Sequence, residues 1–143
     1  MIIQVIGLDE KGIKNFSNYL SKKYTLPLVD ISYFLSDNKQ AIIDKYSDFI
    51  FNNSDFIIVG SMSNIIYSSF YKRDYLVWIY KQDETKIDNN DKRNKFNSVF
   101  KEYEIANGNK IIINSDLRLI DQEKMFLNIL EKKDYEYIQG KNK

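Results

Sequence analysis

The chain has 143 residues, of which 43% are hydrophobic, and its 21 basic and 20 acidic side chains leave a net charge of +1. This length and composition predict one ordered globular domain over residues 1–143, and the small net charge argues against nucleic acid as a partner. Because the chain contains neither cysteine nor histidine, disulfides and thiolate nucleophiles are excluded and Ser-His-Asp chemistry is not expected.

The first residues, MIIQVIGLDE, lack the basic start and the cleavage site of a signal peptide, and residues 2–6 predict a buried strand instead. No run of the sequence approaches the roughly 18 apolar residues of a membrane span. We therefore expect a cytoplasmic protein with no membrane association.

Short apolar runs alternate with helical patterns along the rest of the chain. Further strands are predicted at 26–31, 56–60, 75–80 and 110–114. Helices are predicted at 13–24, 38–51, 63–72, 96–103 and 120–130, with a polar loop at 81–91 and a frayed tail, GKNK. This alternation predicts βαβ units, and hence an α/β fold whose five-stranded parallel sheet carries helices on both faces.

Ligands of such sheets bind at the carboxyl ends of the strands. There, Gly7 and Gly12 bracket the turn from the first strand into the first helix, with the spacing of the phosphate-binding loop Gly-x-x-x-x-Gly-Lys-Ser/Thr. Ile13 stands at the position of the lysine, and Lys14 at that of the Ser/Thr. The two glycines therefore indicate either a nucleotide site or a tight turn that holds no ligand.

The order of elements and several segments resemble the P-loop nucleotide kinases, in particular the adenylate-kinase-like and deoxynucleoside-monophosphate-kinase-like members. The matching segments cover most of the chain: MIIQVIGLDEKGIKNFSNYLSKKY, LPLVDISYFL, DFIIVGSMSN, NNDKRNKF and KIIINSDLRLIDQEKMFLNIL. The resemblance implies a three-layer P-loop kinase-like fold with strand order 2-3-1-4-5. It also implies descent from an ATP-dependent phosphotransferase.

The departures from this family concentrate where phosphoryl transfer takes place. Ile13 cannot donate a hydrogen bond to phosphate, and Lys14 cannot ligate Mg²⁺. Val59 replaces an acidic residue at the end of the third strand, and Ser36 replaces the arginine that grips the acceptor phosphate. The resemblance thus implies a site that has lost several functional side chains.

The turn also carries Asp9 and Glu10. Two unit charges 4 Å apart interact by roughly 4 kcal/mol at an effective dielectric constant of about 20, so these carboxylates would repel a polyphosphate. Alternatively, one of them folds over the helix N-terminus and takes the place of the phosphate, because helix N-termini attract anions.

We therefore predict a degenerate nucleotide-kinase-like protein, a pseudokinase that works as a binding or interaction module. It would require no cofactor, would bind ATP at most weakly and without Mg²⁺, and would have no side-chain metal site. Two alternatives remain open. One is an active nucleoside or nucleotide kinase that uses a displaced lysine, and the other is a structural subunit that binds a protein partner, or itself, without a ligand.

The candidate site residues follow from the motif and the resemblance. The candidates for catalysis are Lys11, Lys14 and Arg93. The candidates for nucleotide contact are Gly7, Gly12, Lys11, Lys14, Asn15, Asn114, Ser115 and Asp116. Asp30 is the candidate for substrate contact, although a capping role would equally explain it. Likewise, residues 114–116 are compatible with an ordinary turn, and Arg93 with a solvated basic helix face.

Overall fold

The computed structural model describes residues 1–61, 73–82 and 89–141. The predicted helix at 63–72 and most of the predicted loop at 81–91 lie outside these ranges. The strands of the described chain are β1 (Ile2–Gly7), β2 (Leu28–Asp30), β3 (Phe56–Val59), β4 (Tyr75–Tyr80) and β5 (Asn109–Asn114). They form one parallel sheet in the order β2-β3-β1-β4-β5, which confirms the order that the resemblance implied.

The described helices are α1 (Glu10–Tyr24), α2 (Lys39–Asn52), α3 (Asn90–Ile105), α4 (Leu119–Leu127) and α5 (Lys132–Lys141), and a short 3-10 helix spans Ile31–Phe34. The strand bounds and those of α2 differ from the predicted ranges by at most two residues at an end, and three helices differ by more. First, α1 begins at Glu10 rather than at Ile13, because Asp9 caps it. Second, α3 includes the end of the predicted loop. Third, the predicted last helix ends at Leu127, and α5, which includes part of the tail predicted to be frayed, follows it.

The sheet is covered on both faces, which confirms the three-layer α/β arrangement. On one face, α1, α4 and α5 pack against side chains of the strands such as Ile3, Val77 and Ile113. On the other face, α2 covers β2 and β3, and α3 covers β1 and β4. Burial on both faces explains why the central strands read as continuous apolar runs rather than as alternating patterns.

A buried polar cluster on the second face fixes the end of β3 relative to β1 and α3. Gln4 Nε2 donates to the Gly60 carbonyl at 2.7 Å and to Glu102 Oε1 at 2.8 Å. The Ser61 hydroxyl also donates to Glu102, and Arg73 Nη1 lies 3.5 Å from the same carboxylate. Buried polar groups are stable only when they are paired, so this cluster holds the carboxyl ends of β1 and β3 in register.

A second polar cluster fixes α1 against α4. The buried Glu123 carboxylate accepts hydrogen bonds from the Tyr24 and Tyr19 hydroxyls, and from Lys23 Nζ at 2.9 Å. Burial raises the pKa of Tyr24 well above its usual value, and the hydrogen bond to Glu123 raises it further by a smaller amount. This second cluster lies at the C-terminal end of α1, at the opposite end of the helix from the turn that follows β1.

Candidate functional site

The connection from β1 to α1 is a two-residue turn and not an extended phosphate-binding loop. β1 ends at Gly7 and α1 begins at Glu10, so only Leu8 and Asp9 lie between the two elements. The residues that the sequence motif assigns to the second half of the loop therefore belong to the first turn of α1.

Asp9 caps the N-terminus of α1. Its carboxylate accepts a hydrogen bond from the Gly12 N–H at 3.2 Å, and its carbonyl accepts one from the Ile13 N–H at 2.9 Å. This arrangement confirms, for Asp9, the alternative in which a carboxylate folds over the helix N-terminus. The Gly12 N–H and the positive end of the helix dipole already face this negative charge. A phosphate that binds to the same N–H must displace it.

The Asp9 carboxylate is held from a second side by the turn after β5. The Ser115 hydroxyl donates to Asp9 Oδ2 at 2.9 Å. A Cβ atom at Gly12 would lie 2.5 Å from Asp9 Oδ2 and 2.9 Å from Ser115 Cβ, so only glycine allows this close approach. The packing of the cap therefore explains Gly12 without any ligand.

The backbone conformation also requires glycine at position 7. Its φ of +152° is a conformation that residues with a side chain rarely adopt, and a Cβ atom there would lie 2.4 Å from the Ile79 carbonyl oxygen of β4. The glycine spacing that suggested a phosphate loop thus follows from two close contacts of the fold.

A cavity of about 570 Å³ opens between α1 and the carboxyl ends of β2 and β3, and we call it the α1 cavity. Its lining residues come from the end of β1, the first half of α1, and β2 and β3 with the residue that follows β3. They are Gly7, Glu10, Ile13, Lys14, Ser17, Asn18, Leu28, Asp30, Val59 and Gly60.

Ser17 is the most deeply buried polar residue of the α1 cavity, with 1% of its surface exposed. Its Oγ atom has no hydrogen-bond partner within residues 1–61, 73–82 and 89–141. Nearer the surface, Asp30 Oδ1 accepts from the Ser32 N–H at 2.8 Å, while Glu10 and Lys14 are exposed. The α1 cavity therefore combines an unsatisfied interior hydroxyl with charged groups at its entrance.

A second cavity, of about 250 Å³, lies on the opposite face of the sheet beside α3, and we call it the α3 cavity. It shares Gly7 and Glu10 with the α1 cavity and is also lined by Lys95 and Ser61. The two cavities thus meet at the carboxyl end of β1, the position where ligands bind to parallel sheets.

The structure brings three of the predicted site residues together, since Gly7, Lys14 and Asp30 all line the α1 cavity. Lys11 and Asn15 are exposed on α1 and line neither cavity. Arg93 is likewise exposed, on α3, and lines neither cavity.

Asn114, Ser115 and Asp116 lie at the far side of the sheet from Asp30. β2 and β5 are its opposite edges, four strand spacings apart, or roughly 19 Å at about 4.8 Å for each spacing. Ser115 holds the Asp9 cap, and Asn114 Oδ1 accepts a hydrogen bond from the Asp116 N–H at 2.8 Å, as in an ordinary turn. Asp30, the candidate for substrate contact, is therefore far from the candidate nucleotide contacts at residues 114–116.

Two further findings concern the described residues only. They contain no group of three or more His, Cys, Asp or Glu side chains that could hold a metal ion. None of their helices combines the length and the apolar character needed to cross a lipid bilayer.

The sequence reasoning did not identify Ser17, Asn18 or Leu28 as site residues. It placed Gly60 only at the ligand-binding edge of the sheet, and it considered Glu10 as a repulsive charge or as a carboxylate over the helix N-terminus. A signal for Ser17 is present in the sequence. Ser17 follows Ile13 by four residues, so it lies on the apolar face of α1, where a small polar residue interrupts the pattern.

Of three comparisons with known proteins, the one with solved structures supports the fold. No family model matches the chain, and no curated protein matches it. Among solved structures, it is similar to an unliganded sugar kinase from Janibacter sp. HTCC2649, with a TM-score of 0.59 and 9% sequence identity over 90% of this chain and 92% of that chain. A similarity at this low identity concerns the fold alone, and the chain accordingly has an α/β kinase-like fold.

Proposed function

We propose that this chain is a pseudokinase, a kinase-fold binding module without phosphoryl-transfer activity, whose affinity for ATP is at most weak and independent of Mg²⁺. The observation that carries the proposal is the Asp9 carboxylate on the N-terminus of α1, held there by Gly12 and Ser115. In this proposal, the negative charge of Asp9 takes the place of a nucleotide phosphate at the helix N-terminus.

Two apolar residues near the turn also support the proposal of a pseudokinase. Ile13, at the position of the family's phosphate-binding lysine, is 7% exposed and belongs to the hydrophobic core beneath α1. Val59, at the position of the family's acidic residue, packs against the same core. Neither position offers a ligand for phosphate or for Mg²⁺, and phosphoryl transfer depends on those electrostatic contacts.

One observation favours the alternative of an active nucleoside or nucleotide kinase. Lys14 lies one residue after the expected position and lines the α1 cavity, where its ammonium group would serve as the displaced lysine. That role requires ATP to bind productively beside Asp9 and Glu10, which is why we place it second.

Thermal unfolding with ATP, in the presence and absence of Mg²⁺, separates these functions, because a ligand raises the unfolding temperature according to its affinity for the folded state. The pseudokinase predicts at most a small stabilisation that Mg²⁺ does not change. An active kinase predicts a stabilisation that requires Mg²⁺ and is lost in Lys14→Ala. A structural subunit without a ligand predicts no effect of ATP in either condition.

A further inference from the structure

We propose that β5 is the contact surface of a homodimer, in which two copies of the chain pair their β5 strands antiparallel across a twofold axis at Ile112 and join their sheets. This inference goes beyond the proposed function and does not rest on it, because β5 pairs in the same way whether or not the chain transfers phosphate. The surface lies at the edge of the sheet opposite β2.

The two edges of the sheet differ in how well they are protected against pairing with another chain. β2, at one edge, has three residues and directly follows Pro27, and short strands and prolines both discourage such pairing. β5, at the other edge, has six residues, contains neither proline nor glycine, and keeps an uninterrupted register with β4 from Asn109 to Asn114. β5 therefore presents a regular row of backbone groups to a further strand.

The direction of these backbone groups follows from the end of the strand. The Ser115 N–H donates to the Tyr80 carbonyl of β4 at 2.9 Å, and so points into the sheet. The N–H and C=O groups of successive residues alternate between the two sides of a strand. Those of Lys110, Ile112 and Asn114 therefore point away from β4, towards the open edge.

An antiparallel register centred on Ile112 pairs all three of these residues. The two copies of Ile112 exchange both backbone hydrogen bonds, and Lys110 of each copy does so with Asn114 of the other. The Asn114 carbonyl, which also accepts from the Leu117 N–H at 3.2 Å, has a second lone pair for this contact. A register centred one residue to either side leaves one of the three without such a partner, so the strand itself favours this pairing.

The charges at the two ends of β5 match in this register. Lys110 lies near the start of the strand, and Asp116 lies in the turn just after its end. Antiparallel pairing places the Lys110 end of each copy beside the Asp116 end of the other, so opposite charges are neighbours. Gly108 lies opposite Asp116, and a Cβ atom added there would have no atom of the described residues within 4 Å beyond its chain neighbours, which leaves room for the turn.

The centre of this surface is apolar. Ile112 pairs with Trp78 of β4 and is 42% exposed, on the face of the sheet that carries α3. Phe100 of α3 is 48% exposed, and its ring centroid lies 6.4 Å from that of Trp78. The two copies of Ile112 cover each other at the axis, and burial of apolar surface favours association. Because two six-residue edges bury less surface than a standard interface, we expect a dissociation constant of about 1–100 µM.

The test combines sedimentation equilibrium of the full chain, from about 1 µM to 1 mM, with hydrogen exchange resolved by residue. We expect a reversible equilibrium between monomer and dimer. The amides of Ile112 and Asn114 should exchange at least about 10-fold more slowly where the dimer predominates, because they become paired. The amides of Ile111 and Ile113 face β4 and should be protected at every concentration.

Ile112→Lys places two like charges at the axis and should weaken dimerisation about 100-fold or more. Leu35→Lys is the matched control, since it makes the same kind of change at an exposed position near the other edge and should leave the dimer unchanged. Asp116→Lys, which brings a like charge beside Lys110 of the second copy, should weaken dimerisation about 3- to 10-fold, and less so at high salt.

Any of four results would overturn the inference. The first is a monomer at about 1 mM, which would leave the edge to a strand of another protein, and the second is a series of larger open assemblies. The third is a dimer that Ile112→Lys does not weaken. The fourth is a dimer without slower exchange at Ile112 and Asn114, which would mean that the copies associate through another surface. None of these results depends on ATP, so failure here is distinguishable from failure of the proposed function.

Discussion

The Ser115 hydroxyl donates a hydrogen bond of 2.9 Å to the Asp9 carboxylate, and so joins the turn after β5 to the N-terminus of α1. Asp9 →Ala should lower the free energy of unfolding by about 1 kcal/mol, because it removes the helix cap. Asp9→Asn should lower the free energy of unfolding by less, since asparagine caps helices equally well. Denaturant unfolding of both variants measures the difference.

The same experiment extends to a double-mutant cycle with Ser115→Ala. We expect a coupling energy between Asp9 and Ser115 of roughly 0.5 kcal/mol or more, because the two side chains are in direct contact. Purely additive effects of the two alanine substitutions would show that the hydrogen bond does not hold the cap in place.

Ile13→Lys is the obvious attempt to restore the phosphate-binding lysine, and we expect it to destabilise the fold. Ile13 packs in the core beneath α1, so a lysine there should cost roughly 2 kcal/mol of unfolding free energy. The matched control is Asn15→Lys, which adds the same side chain at an exposed position of the same helix and should change stability by less than about 0.5 kcal/mol. Equal stability of the two variants would contradict the burial argument.

Glu102 pairs with Gln4, Ser61 and Arg73 inside the fold. Glu102→Ala should therefore lower the free energy of unfolding by roughly 3 kcal/mol or more, since it leaves the partly buried Arg73 without this carboxylate. Glu104→Ala, on the exposed side of the same helix, serves as the control and should be nearly neutral. A loss below about 1 kcal/mol for Glu102→Ala would show that the cluster contributes little stability.

Alkaline pH should destabilise the protein through Tyr24. Burial and the hydrogen bond to Glu123 raise the pKa of Tyr24 in the fold above its ordinary value of 10.0. The stabilisation is therefore complete below pH 10.0 and declines progressively as the pH rises from that value towards the higher pKa of the folded state, because the unfolded chain then releases a proton that the folded chain retains.

Unfolding experiments across this pH range check the expectation. Tyr24→Phe should be less stable than the wild type near neutral pH, by about 1 kcal/mol for the lost hydrogen bond. Its stability should also decline less steeply above pH 10.0. Tyr33→Phe, which changes an exposed tyrosine that does not contribute to the raised pKa of Tyr24, is the control and should keep the slope of the wild type. Parallel slopes for Tyr24→Phe and the wild type would contradict the assignment.

Much of the fold could be predicted because its main signals are local. The apolar runs that form β1, β3 and β4 are short, uninterrupted and separated by helical periods, as expected for strands buried on both faces. The strand order could not be read from these patterns and came from the resemblance. α5 was not predicted because only Ile138 is buried in it, which leaves too weak a periodic pattern.

The candidate site was less predictable, because the motif and the helix cap use the same residues. Asp9 is a favourable N-cap residue, but the glycine spacing assigned it to a loop and displaced the predicted start of α1 to Ile13. Ser17 acquires its significance only from the cavity between α1 and two strands that are distant in sequence. Such a juxtaposition cannot be seen in the spacing of one helix.

The central claim is that the chain's own carboxylate, and not only a missing lysine, keeps phosphate away from the N-terminus of α1. Calorimetric titration of ATP into the wild type, Asp9→Gly/Glu10→Ser and Ile13→Lys, at one ionic strength and with and without Mg²⁺, tests it most directly. We predict the largest gain in affinity for the double variant, a smaller gain for Ile13→Lys, and no effect of Mg²⁺ on the wild type. A larger gain for Ile13→Lys, or an increase in wild-type affinity with Mg²⁺, would contradict the claim.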